Sequence, residues 1–207
     1  MASWTRVAPP FLDLLLAIVE RIDRRVRRLR PVREGALLWV ERHRHRGPTV
    51  HLRDGTDVER GDAAWVIHFS NARLHDLAGP GWQTRGYAVA REDLRALAAS
   101  HVTLPAAQRP VAYTGTTLLA SLTRRVGFEV LDRPATVLAR LEDWYLRSVL
   151  VRWAPDGRHR LERGHKPLRA RRVWLSGHEL VRRYGPAAQR AASGSVILPA
   201  SRQATEG

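Results

Sequence analysis

Ala64-Trp65-Val66-Ile67-His68-Phe69 is the stretch on which the fold turns. Trp65, Ile67 and Phe69 alternate with Val66 and His68, the period of a strand with one face on a core. That alternation puts His68 on the face opposite the three large apolar side chains. Just upstream, Gly61-Asp62, Asp54-Gly55 and Gly47-Pro48 are turn signals. They separate strand candidates at Leu37–Arg46 and Thr49–Leu52. Residues 36–70 therefore predict a small antiparallel sheet or partial barrel.

Downstream the pattern mixes helices with short strands. Gly79–Gly86, with three glycines and a proline, predicts a loop, and its G-x-G spacing follows no clear parallel strand. Arg91–His101 predicts a short amphipathic helix, Val111–Thr114 a strand, and Gly115–Val126 a helix ended by Gly127. Phe128–Leu131 reads as a strand. Pro134–Trp153 reads as a long helix with Pro134 in its first turn and a break near Tyr145. Arg158–Arg172 is basic and irregular, Arg172–Leu175 is a last strand, and Ser176 caps a helix through Tyr184. The expected class is α+β. The expected organisation is a basic amphipathic helix within 1–35, a core over 36–185, and a disordered Ala/Ser/Gln/Gly tail over 186–207.

The leading helix runs from Pro9-Pro10 to about Arg30. Phe11, Leu12, Leu15, Ile18, Val19, Ile22, Val26 and Leu29 form one face, and Arg21, Arg24, Arg25 and Arg28 the other. Such a helix suits either the domain's own core or an anionic lipid surface. Phe11–Val19 is too short to span a bilayer, which takes about 20 apolar residues. Arginines follow it where a signal-cleavage site would lie. The expected location is the cytoplasm, peripheral at the membrane.

Charge narrows the partners. The chain of 207 residues carries a net +15, and the segments 21–46 and 156–207 hold most of the excess. Lys166 is the only lysine among 35 basic residues, a bias that genomic arginine preference accounts for as well as an anionic partner does. With no cysteine there is neither disulfide nor thiolate chemistry. His43, His45 and His51 are interleaved with arginines and lack carboxylates at ligand spacing, so no metal and no cofactor are expected. Nucleophile-elbow and phosphate-loop motifs are absent. The adjacent carboxylates Glu92/Asp93 and Glu142/Asp143 do not converge on a helix and read as solvated.

His68 and Asn71, closing the best strand, are the leading chemical candidates. Asp62 and Asp54 lie in adjoining turns, from which a carboxylate would orient His68 as a general base. The competing reading makes Asn71 a helix cap and His68 a half-buried structural residue.

Motif order adds a resemblance. Gly47-Pro48, Leu52-Arg53-Asp54-Gly55-Thr56, Gly61-Asp62 and Ile67-His68-Phe69-Ser70-Asn71-Ala72-Arg73-Leu74 come first. Tyr113-Thr114-Gly115-Thr116-Thr117-Leu118-Leu119, Gly127-Phe128, Val173-Trp174-Leu175-Ser176, Leu180 and Tyr184 follow. Over about residues 37–185 the chain resembles the YkoP-like domain, a bacterial family found alone or fused to polysaccharide deacetylase domains. The resemblance implies a place in cell-envelope polysaccharide metabolism, with a deacetylase or glycosyltransferase as partner. Within its pattern, His68 and Asn71 form one element and Trp174 and Ser176 another, with Arg73 and Asp54 as further binding candidates. Neither a T-F-D-D stretch nor an H-[ST]-x-x-H motif is present, so deacetylation by these residues is not expected.

Three readings stand at this point: an accessory or binding domain meeting anionic lipid or glycan phosphate; a transferase or hydrolase with His68 as base; and nonspecific nucleic-acid binding, with no motif for base-specific recognition.

Overall fold

The computed structural model describes residues 28–77, 79–133, 136–153 and 169–194. In chain order the strands are β1 (Arg30–Pro31), β2 (Leu38–Glu41), β3 (Val50–His51), β4 (Asp57–Val58), β5 (Ala64–Phe69), β6 (Ala112–Thr117), β7 (Glu129–Leu131) and β8 (Arg171–Ser176). The helices are α1 (Asn71–Asp76), α2 (Trp82–Thr103), α3 (Ala120–Arg125), α4 (Val137–Trp153), α5 (Gly177–Tyr184) and α6 (Pro186–Gly194). Six strands form one sheet in the order β1-β2-β5-β6-β8-β7, and β3-β4 form a separate ribbon. The class is α+β, as the patterning predicts.

The stretch 36–70 does not close on itself. β2 pairs antiparallel with β5, Leu38 opposite Phe69 and Glu41 opposite Val66. The other edge of β5 pairs parallel with β6, Ala64 opposite Ala112. A parallel neighbour needs a long crossover, and α1 with α2 supplies it. No local pattern in 36–70 could reveal that distant partner.

Each face of the sheet carries a core. Leu38, Ile67, Tyr113, Val173 and Leu175 meet Leu94, Leu97 and Ala98 of α2 and Leu180 and Tyr184 of α5. On the opposite face Ala64, Ala112 and Trp174 are covered by Leu52 and Val58 of the ribbon. Trp65 and Phe69 pack against the first of these clusters with Ile67, as the alternation requires.

Several boundaries move. α2 begins at Trp82, inside the predicted loop, because Gly86 lies against the Trp82 ring and is buried in the helix. Gly115 belongs to β6 and not to a helix: a Cβ there would stand 3.0 Å from the Ile67 carbonyl, so the glycine permits close approach of two backbones. The following helix starts only at Ala120. α4 runs unbroken past Tyr145.

At the ends, Arg28 has left-handed backbone (φ 51) and Arg30–Pro31 pairs with β2, so helix does not reach Arg30. The rest of the predicted basic helix, with Arg21, Arg24 and Arg25, lies outside the described residues, as does most of Arg158–Arg172. Where composition predicts a disordered tail, Pro186–Gly194 is helical; residues 195–207 lie outside the described set. Among the described residues no helix is long and apolar enough to cross a membrane.

Candidate functional site

The sequence-predicted site residues occupy two ends of the sheet. His68 lies near the carboxyl end of β5 and Asp62 just before its start, about 20 Å apart at strand rise. Asp62 braces its own turn, its carboxylate accepting from the Glu59 N–H at 2.7 Å and its carbonyl from the His45 N–H at 2.8 Å. The partner of His68 is Glu41 on the neighbouring strand: Nε2 and Oε2 are 2.9 Å apart and both side chains are mostly buried. The carboxylate accepts the Nε2 proton and so sets the tautomer. Asn71 opens α1, but the cap is Ser70, whose hydroxyl accepts from the Arg73 N–H. The Arg73 guanidinium reaches Asp76 at 3.6 Å.

Asp54 and Ser176 meet at the other end. Ser176 caps α5, accepting from the Glu179 N–H at 2.8 Å, and its hydroxyl donates to Asp54 in a very short bond. His178 Nδ1 stands 3.6 Å from the same carboxylate. Serine, aspartate and histidine are thus adjacent, but the hydroxyl is engaged by a main-chain amide and a carboxylate. Ser176 is also buried, so this is a structural knot and not a nucleophile. Burial acts to raise the Asp54 carboxyl, and hydrogen bonds from Ser176, Thr56 and His178 outweigh it, holding the group below 3.8. Trp174 lies mid-strand between the edge of the His45 ring (5.5 Å) and the Arg172 guanidinium (5.8 Å). The ring itself is buried.

The other sequence candidates are also accounted for. His45 Nε2 meets the Pro48 carbonyl at 2.7 Å, and His51 Nδ1 meets Asp57 at 2.7 Å. Among the described residues no cluster of three potential ligands exists. Of the four carboxylates predicted to be solvated, Glu92 and Glu142 keep solvent exposure within ion pairs, whereas Asp93 and Asp143 are drawn inward. Asp93 is fully buried, accepting from the N–H groups of Leu37 and Leu38 and from Arg33 Nε, while Glu92 pairs with Arg33 at the surface. Glu142 pairs with Arg133 at 2.7 Å, and Asp143 accepts the Ala170 N–H at 3.1 Å. Both corrections share a cause: a helix carboxylate that faces the body finds cationic or amide partners far away in sequence.

Sequence reasoning misses an open cleft among the described residues. It has a volume of about 300 Å³ and lies between the first turns of α2 and α3, lined by Trp82, Gln83, Thr84, Tyr87, Ser121 and Arg125 among others. These helices follow the carboxyl ends of β5 and β6, the parallel pair, and that edge is where sheets of parallel strands present ligand sites. Gly81 caps α2 without any side-chain acceptor for its first-turn amides. Arg125 is exposed and has no carboxylate partner among the described residues. Arg91 lies over the Tyr87 ring at 5.7 Å. The Gly79-Pro80-Gly81 turn is the trace of this site in the sequence. It follows α1 and not a strand, so it does not form a dinucleotide fingerprint.

The fold and its edge cleft define a small α+β domain with a ligand-sized recess and a basic surround. The model of the YkoP domain matches residues 11–184, and the chain belongs to that family. No curated protein and no solved structure matches it.

Proposed function

We propose that the chain is an accessory binding domain of bacterial cell-envelope polysaccharide metabolism and that the cleft between α2 and α3 receives an anionic sugar. The cleft composition is the observation that carries this reading. Tyr87 and the edge of the largely buried Trp82 offer aromatic surface, Gln83, Thr84 and Ser121 offer hydroxyl and amide groups, and Arg125 offers a cation. An aromatic wall with a few convergent polar groups is the usual make-up of a small-molecule site. The resemblance set out in the sequence analysis implies the metabolic setting, and the reading takes a deacetylase or glycosyltransferase as the working partner at the cytoplasmic membrane face.

Calorimetric titration with a hexose 1-phosphate, the parent hexose and inorganic phosphate tests it. The sugar phosphate is expected to bind best, and Arg125→Ala to weaken it at least tenfold. Equal, negligible heats for all three probes, with unchanged amide NMR signals for Gln83 and Thr84, overturn the reading.

A second reading rests on His68 and Glu41. A histidine held by a carboxylate across two strands is the arrangement a general base requires, and it supports a transferase or hydrolase activity. Asp62 is not part of that arrangement. Hydrolysis of an activated glycosyl donor, abolished in His68→Gln but retained in Asp62→Asn, is its signature.

A further inference from the structure

α4 turns an apolar ridge outward. Leu141 is 60% exposed and Trp144 68%, with Tyr145 at 36% beside them. Their spacing of three and four places them on one ridge with Arg140. The carboxylates of this part of the helix are held by other partners, Glu142 by Arg133 and Asp143 by the Ala170 amide. The ridge itself is therefore tryptophan, tyrosine, leucine and arginine without a negative charge. Arg169, beside the residue that binds Asp143, is likewise exposed. Neither Arg140 nor Arg169 has a carboxylate partner among the described residues.

We infer that this face of α4 docks on the surface of an anionic lipid bilayer, with Trp144 and Leu141 entering the headgroup boundary and Arg140 and Arg169 meeting lipid phosphates. Tryptophan and tyrosine favour that boundary because one end of each ring system is apolar and the other is polar. A second copy of the chain fits less well. Two such faces would oppose arginine to arginine, and three side chains fall far short of the roughly 800 Å² per partner of a stable interface. A membrane needs no such area, since a modest apolar insertion together with a basic patch forms the two signals that stable anchoring takes. The net +15 of the chain acts in the same direction. The inference extends the membrane-face setting proposed above and makes no use of the cleft.

Flotation of the full chain with phosphatidylglycerol/phosphatidylcholine vesicles, against pure phosphatidylcholine, tests it. Binding to the anionic vesicles alone is expected. Leu141→Ala with Trp144→Ala should lower partitioning at least tenfold, and Arg140→Gln and Arg169→Gln about fivefold each, with shallower salt dependence. Brominated lipid should quench the wild-type fluorescence and quench Trp144→Phe much less. Hexose phosphate titration of the same variants separates the two proposals, because Trp144 does not line the cleft and its loss should leave that titration unchanged. The inference fails if the wild type ignores anionic vesicles, if Leu141→Ala/Trp144→Ala binds them like the wild type, or if sedimentation shows a dimer that Trp144→Ala dissociates.

Discussion

The Leu37 N–H donates to the Asp93 carboxylate at 2.7 Å, joining the residue just ahead of β2 to the middle of α2 across 56 positions of sequence. The Leu38 N–H donates to the same oxygen at 2.9 Å, and Arg33 Nε reaches the other at 2.6 Å. Asp93 is wholly buried, so nothing in solvent can replace these partners. Asp93→Ala should cost about 3 kcal/mol, since it strands two buried main-chain donors, while Arg33 keeps Glu92. Asp93→Asn keeps an acceptor oxygen and should cost less. Urea unfolding of both variants checks the order; equal, small losses contradict the assignment.

Acid should reach the ribbon through Asp54. Its folded pKa lies below the ordinary 3.8, because hydrogen bonds from Ser176, Thr56 and His178 overcome the opposing effect of burial. The unfolded chain therefore takes up the proton first. The stability Asp54 contributes is complete above about pH 3.8 and disappears as pH falls through the folded value. Melting curves from pH 5 to pH 2 should show this acid loss in the wild type and a shallower one in Asp54→Asn. Ser176→Ala, losing both the cap and the carboxylate bond, should cost about 1–2 kcal/mol at pH 7.

A second pH dependence comes from inside the main core. His101 Nδ1 and the Tyr113 hydroxyl share a 2.9 Å hydrogen bond, and both residues are buried. Burial, then the nearby Arg109, lowers the His101 pKa below 6.5, so the imidazole is neutral in the folded protein at neutral pH. Stability from this group is full above pH 6.5 and declines as pH falls toward the folded value, since the unfolded chain binds the proton more readily. His101→Gln should remove that decline from a series of melts between pH 7.5 and 5. The same ring also explains Gly177. A Cβ there would lie 2.6 Å from His101 Cε1 and 2.9 Å from the Pro110 carbonyl, so Gly177→Ala should destabilise by about 1–3 kcal/mol.

What the sequence made legible was local. The alternation in Ala64–Phe69 placed Trp65, Ile67 and Phe69 on the core side, and Ser176 was readable as a cap because its hydroxyl precedes an amphipathic stretch. Gly115 was misread, since a glycine that lets two strands approach looks like one that opens a helix until its neighbour Ile67 is known. Asp93 and Glu41 escaped for a related reason. A charged residue on a helix or strand reads as solvated unless the register brings an amide or an imidazole to it, and register is a property of the whole sheet. The cleft escaped because Gly79–Gly86 reads as a loop and the helix is expected only from Arg91, so nothing in the sequence sets Trp82 and Tyr87 on a helix beside Ser121 and Arg125.

The pair His68–Glu41 offers the sharpest test of how sheet and chemistry divide. Trp39 stands directly opposite His68 and Val66 opposite Glu41, so the imidazole and carboxylate meet on the diagonal of a β2–β5 ladder, at 2.9 Å. A diagonal contact between mostly buried groups should couple energetically. Glu41→Gln and His68→Gln should each destabilise by about 1–2 kcal/mol, and the double variant by less than their sum, with a coupling of about 0.5–2 kcal/mol in urea titrations. Additive losses would mean that the contact holds nothing. Because the pair lies on the sheet face away from α2, both variants should bind a hexose 1-phosphate like the wild type. A loss of that binding would place His68 in the ligand site after all and shift the balance toward a catalytic reading.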